Sequence, residues 1–301
     1  MRFVDKGYGF KLLYPSIDYF LGKIDAGENF KYIRFNHGAL DAFALVYQNI
    51  ENFKKNLDNK EFNIIVNRLR HEYRPFIDWH GGKGLQKQIE IFVDLLCNLD
   101  YPNLHAGIDA GIGMGGGVGV FSDNHPTQIK RIKAANYILE GKDIDIYHTG
   151  LPKHWAIMGE LPYLIQELEK RKTKIILMGA PYMRYLIEKL NTNVTHIEIP
   201  YRKANEVFYE KVKELKSEIV EGNTIIFHST GHLLSTVLLH HLKDVNVNTF
   251  DIGRGFDWLL HNEPDKVPHY KDGWLNYFGG ETENRYKLFV QKVRNNAKNN
   301  I

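Results

Sequence analysis

Within residues 224–260, two short polar loops, HSTGH and DIGRGFD, each follow an apolar run of strand length. In the first, the hydroxyls of Ser229 and Thr230 and the free backbone N–H groups ahead of a helix offer donors to an anion. Gly231 allows close approach there, with His232 beside it. A diphosphate fits that chemistry, and so does a plain helix cap made by Ser229 and Thr230. In the second loop Asp251 ends a strand, Gly253 and Gly255 permit backbone conformations that a side chain forbids, and Arg254 projects a permanent charge between them. That loop suits a phosphate clamp, or else a tight turn with Asp251 on nearby backbone N–H groups and Arg254 solvated.

Loops of this kind act together only if the fold brings them to one place. Apolar runs of strand length alternate with helix-period segments over most of the chain, which predicts an α/β fold: a doubly wound, mostly parallel, Rossmann-like sheet with helices on both faces. Strands are expected at 32–35, 103–108, 175–178, 194–199, 224–228 and 247–252. Helices are expected at 40–53, 86–99, 157–172, 182–190, 206–221 and 233–242. Both loops then lie at the carboxyl ends of consecutive strands, where parallel sheets bind ligands. The pattern reads as a single domain over 1–301, with an irregular segment from about 261.

Composition narrows the function classes. The 301 residues are 43% hydrophobic, enough for a large core, and 39 basic against 36 acidic residues leave a net charge of only +3. No global field draws such a chain onto nucleic acid, and the cluster Arg68, Arg70, His71 and Arg74 reads as a solvated face. Cys97 stands alone, so no internal disulfide is expected. No window approaches the ~18 apolar residues of a membrane span, and no signal-peptide pattern opens the chain, so a cytoplasmic protein is expected.

Other motifs are absent or incomplete. The glycine-rich segment GIGMGGGVGV has no amphipathic helix directly after it and does not fit the dinucleotide fingerprint. Neither a P-loop nor a G-x-S-x-G elbow occurs. The 14 histidines include no HExxH set, so no dedicated zinc site is expected. Trp79, Trp155, Trp258 and Tyr147 are candidates for stacking on a base or sugar, with core packing the commoner role.

Several segments together resemble the GT-D class of bacterial glycosyltransferases. IPYRKANEVFYEKVKE is similar to that family's proline-and-asparagine segment, HSTGHLLSTVLLHHL to its glycine-led helix, and NTFDIGRGFDWLL to its D-x-G strand end. KYIRFNHGAL occupies the place of its acidic R-F-G-D-G-E motif. The resemblance implies transfer of a sugar from a nucleotide sugar, a UDP-sugar favoured, to a glycan, glycoprotein or polysaccharide acceptor. It places the donor against Arg34, Asn36, His37, Ser229, Thr230, Gly231, His232, Asp251 and Gly253.

The departures from the family pattern are specific. Aligned through Arg34, Phe35 and Gly38, the metal-holding Asp-x-Glu pair becomes His37 and Ala39, and Arg254 stands where the family usually continues with histidine. Either Arg34 and Arg254 supply the charge that Mn²⁺ or Mg²⁺ would carry, or a remade metal site uses His37 with Asp41 or Asp109. Asp109 and Asp257 are the candidate bases. Two other readings stay open: a nucleotide-binding protein of this fold without transfer, and an enzyme that adds a sugar to nucleic acid.

Overall fold

The computed structural model describes residues 3–4, 12–47, 58–73, 84–97, 101, 103–108, 126–139, 145–190, 192–260 and scattered positions between 262 and 295. Its sheet runs in the order β1-β2-β5-β4-β3-β9-β8-β6-β7. The strands are β1 (Phe3–Val4), β2 (Leu12–Leu13), β3 (Lys31–Phe35), β4 (Leu104–Ile108), β5 (Asp145–His148), β6 (Lys174–Gly179), β7 (Val194–Glu198), β8 (Thr224–Ser229) and β9 (Asn248–Asp251). β3 to β9 are all parallel. β2 joins β5 through the pair Leu13 and Tyr147, and β1 lies antiparallel on β2.

The helices are α1 (Ile17–Asp25), α2 (His37–Tyr47), α3 (Asn59–Glu72), α4 (Leu85–Cys97), α5 (Pro126–Leu139), α6 (Leu151–Ile157), α7 (Leu161–Lys170), α8 (Arg184–Leu190), α9 (Ala204–Glu218) and α10 (Gly231–Leu242). β6 and β8 read KIILMG and TIIFHS because both of their faces are covered, which leaves almost no solvent side for polar residues.

Two directions of winding set the layers. From β3 to β4 to β5, and from β7 to β8 to β9, the chain steps one way along the sheet; from β5 to β6 to β7 it steps the other way. Right-handed crossovers then put α2 to α5, α9 and α10 on one face and α6 to α8 on the opposite face. Packing agrees: α10 rests on α4 and α2, whereas the 3₁₀ turn Gly255–Leu260 after β9 rests on α6 and α8. Chain leaving β3, β4 and β8 therefore departs to one face, and chain leaving β5, β6 and β9 to the other. In a parallel sheet the place between β3 and β9, whose chains leave to opposite faces, is where a crevice forms at the carboxyl edge.

Several elements differ from the sequence reading, and β1, β2, α1 and α6 were not expected at all. The expected helix 157–172 begins only at Leu161, because Gly159 takes a left-handed φ of +71° and ends α6 just before Pro162 restarts a helix. A turn of 3₁₀ helix, Pro181–Met183, precedes α8. β5 was not expected; its run DIYH is too short and polar to stand out. Nor were α3 and α5, whose exposed faces dilute the apolar period. Arg68 on α3 pairs with Glu72 and Arg70 bonds Gln86. Among the described residues no helix is long and apolar enough to cross a membrane.

Candidate functional site

On one side of the crevice two helices begin side by side. A Cβ added at Gly38, in the first turn of α2, would come 3.1 Å from His232 Cε1, in the first turn of α10. Tyr73 donates to the Gly38 carbonyl and packs edge-on to His232 at 6.0 Å. Gly231 opens α10 with φ +79°, and Thr230 supplies no side-chain cap. Each amino end carries the partial positive charge of its helix dipole, and the two lie together; α10 has no side-chain cap, whereas the N–H groups of Gly38 and Ala39 on α2 are taken by Asn36.

Arg34 closes the opposite side. The penultimate residue of β3, it donates from Nε to Thr149 Oγ1 (3.0 Å) and from Nη1 to the Ile252 carbonyl (2.8 Å), so it bridges the loops after β5 and β9. Its Nη2 has no partner among the described residues. Gly253 makes this placement feasible: its φ is +47°, and a Cβ there would overlap Arg34 Nη1. Gly253→Ala is expected to cost about 1–3 kcal/mol from the strained backbone alone and to displace the guanidinium. Denaturant unfolding beside a transfer assay checks both effects.

Several candidate residues turn out to be structural supports. Asp251 is 5% exposed, and its two oxygens accept from the backbone N–H groups of Gly253 (2.9 Å) and Arg34 (3.3 Å), so it shapes the loop. Asn36 accepts from the N–H groups of Gly38 and Ala39 and caps α2. Thr230 points inward, 3.2 Å from Ser235 Oγ, which reaches His228 Nδ1 at 3.4 Å. Burial lowers the pKa of His228, so this network is neutral. Ser229, half-buried at the end of β8, remains at the crevice.

Asp257 requires a correction as a base. It is 0% exposed, accepts from Tyr182 Oη (2.6 Å) and from Arg254 Nε (3.2 Å), and so does not reach an acceptor hydroxyl. Burial raises its pKa against the opposing pull of Arg254 and Tyr182. Arg254 is thereby tied to a buried carboxylate. Asp109 and the glycine-rich segment 111–119 lie outside the described residues, as does the His37 side chain.

No protein-family model matches the chain, and neither a curated protein nor a solved structure does. The weight therefore rests on the geometry.

A divalent metal does not fit the donors that are described. Asp41, the carboxylate offered for it, receives Nε and Nη2 of Arg131 at 2.5 and 2.7 Å through both of its oxygens. No group of three or more His, Cys, Asp or Glu side chains is arranged for an ion among the described residues.

Sequence reasoning missed Thr149, Tyr73 and Tyr182. The polar–glycine step His148-Thr149-Gly150 after an apolar pair is a signal of the same kind as HSTGH, obscured by the shortness of β5. Tyr73 and Tyr182 carry no local signal, since each acts on a distant segment.

Proposed function

We propose that this protein is a glycosyltransferase that takes its sugar from a nucleotide sugar, a UDP-sugar in the first instance. One observation carries the reading: the paired amino ends of α2 and α10 face a crevice whose other side is bridged by Arg34. The N–H groups of α10, the dipoles of two helices and a fixed cation together suit a diphosphate. The resemblance of HSTGH and DIGRGFD to the GT-D loops supports the same reading.

In the proposed reaction the acceptor oxygen bonds to the sugar's anomeric carbon while the bond from that carbon to the β-phosphate oxygen breaks. The electron pair leaves with the diphosphate, and the α10 N–H groups with Arg34, aided by the dipole of α2, take up the developing charge. The acceptor's proton passes to Asp109, the residue that directly follows β4.

UDP is the first probe. At 100 times its dissociation constant it should stabilise the protein by about 2.7 kcal/mol, read as a rise in melting temperature. A panel of nucleoside diphosphates, each with and without Mn²⁺, tests donor class and metal requirement together, and release of UDP from UDP-sugars tests turnover. If no nucleoside diphosphate shifts melting, the donor assignment falls.

A further inference from the structure

A second concavity, of about 470 Å³, lies beyond the carboxyl end of β2, within the ~300–1,000 Å³ of small-molecule pockets. Its walls include Tyr14, Asp18, Trp155, Glu160, Tyr163 and Arg294. Nothing in the donor chemistry uses it.

The lining selects against an anion. Arg294 is engaged, donating to both oxygens of Glu160 at 2.5 and 2.8 Å, and Tyr163 Oη donates to Asp18 at 2.9 Å. With two carboxylates against one guanidinium, the walls repel a phosphate or carboxylate ligand. A full cation gains little as well, because Arg294 neutralises Glu160 and the remaining charge, on Asp18, is exposed and screened by solvent. What remains accommodated is a neutral ligand with an apolar face for the exposed ring of Tyr163 and hydroxyls for the spare lone pairs of Asp18 and Glu160. A saccharide ring has both.

The position is equally specific. Tyr14 Oη lies 2.7 Å from His154 Nδ1, and His154 packs on His148 with ring centroids 5.0 Å apart. The next residue, Thr149, accepts from Arg34. A wall of a few side chains at the end of β5 thus has the cationic crevice on one side and this aromatic, acidic pocket on the other. We infer that the pocket binds the acceptor saccharide, an uncharged mono- or disaccharide unit. The acceptor role rests on the proposed glycosyltransferase reading; the saccharide chemistry does not.

Saturation-transfer NMR on the full chain tests this, with a panel of neutral and N-acetylated mono- and disaccharides and with choline as the cationic control. Tyr163 is 46% exposed on α7, so Tyr163→Ala is expected to fold. It should weaken saccharide binding about tenfold while the UDP-induced melting shift persists. The inference is overturned if no saccharide in the panel binds, if choline binds in their place, or if Tyr163→Ala leaves saccharide affinity unchanged. If saccharides bind through Tyr163 but no nucleoside diphosphate stabilises the protein, the pocket stands as a saccharide site and the glycosyltransferase reading falls.

Discussion

Arg34→Ala is expected to lower sugar transfer by about 100-fold to 1,000-fold, the range for losing one preorganised electrostatic donor. The guanidinium is held before any substrate arrives: Nε on Thr149, Nη1 on the Ile252 carbonyl, and Nη2 left over for the leaving group. It need not reorganise as charge develops, and this is why its effect should fall on the transition state. The loss should therefore appear in kcat more than in KM. Arg34→Lys should recover little, because an ammonium cannot span Thr149 and Ile252 while presenting a third donor. Unfolding by denaturant should show a penalty of about 2–4 kcal/mol, because two charge-assisted hydrogen bonds are lost and the buried Thr149 hydroxyl and Ile252 carbonyl lose their donor. Steady-state kinetics showing activity within a few-fold of the wild type would remove Arg34 from the proposed mechanism.

Arg254→Ala is expected to act first on stability. Read from the sequence, Arg254 is a phosphate clamp or a solvated residue of a tight turn. In the structure it is the cation beside Asp257, a carboxylate with no solvent exposure. Breaking a fully buried pair costs about 3–5 kcal/mol. Arg254 is 42% exposed and partly screened by solvent, so about 2–3 kcal/mol is the expected loss.

The pH dependence follows from the direction of the Asp257 shift. Its folded-state pKa is raised, chiefly by burial, so its stabilising contribution is full below the unfolded carboxylate value and is lost as pH rises through the folded one. Removing Arg254 raises that pKa further. The deficit of Arg254→Ala relative to wild type should therefore widen from acid toward neutral pH. Asp257→Asn in the same background should abolish the widening, while Tyr182 keeps a carbonyl oxygen to donate to. Unfolding free energies measured across that pH range that run parallel for wild type and Arg254→Ala would show that the pair does not hold this turn.

The sequence by itself determined the class of fold and the edge of the sheet on which the two loops lie. Apolar runs such as KIILMG and TIIFHS can be satisfied only inside a sheet covered on both faces, and a parallel sheet places every strand's carboxyl end on one edge. The loops after β8 and β9 therefore share that edge, and they are neighbours because β8 pairs with β9, His228 lying opposite Asp251 in register. Gly253 was legible as a position whose backbone conformation a side chain forbids, and Gly231, read as allowing close approach, also takes a left-handed φ of +79°. Tertiary structure alone decided which polar side chains face the crevice. Asp251, Thr230, Asn36 and Asp257 carry suitable chemistry, yet each meets a buried donor or acceptor that must be satisfied: two backbone N–H groups, Ser235, the start of α2, and Tyr182 with Arg254. Arg34 was the reverse case. Its partners Thr149 and Ile252 lie 115 and 218 residues away in sequence, so its position followed only when β5 and β9 closed around β3 and β4. An unsatisfied polar group is costly in the interior and nearly free at the surface. That difference sorts supports from site residues, and burial is a property of the packed chain.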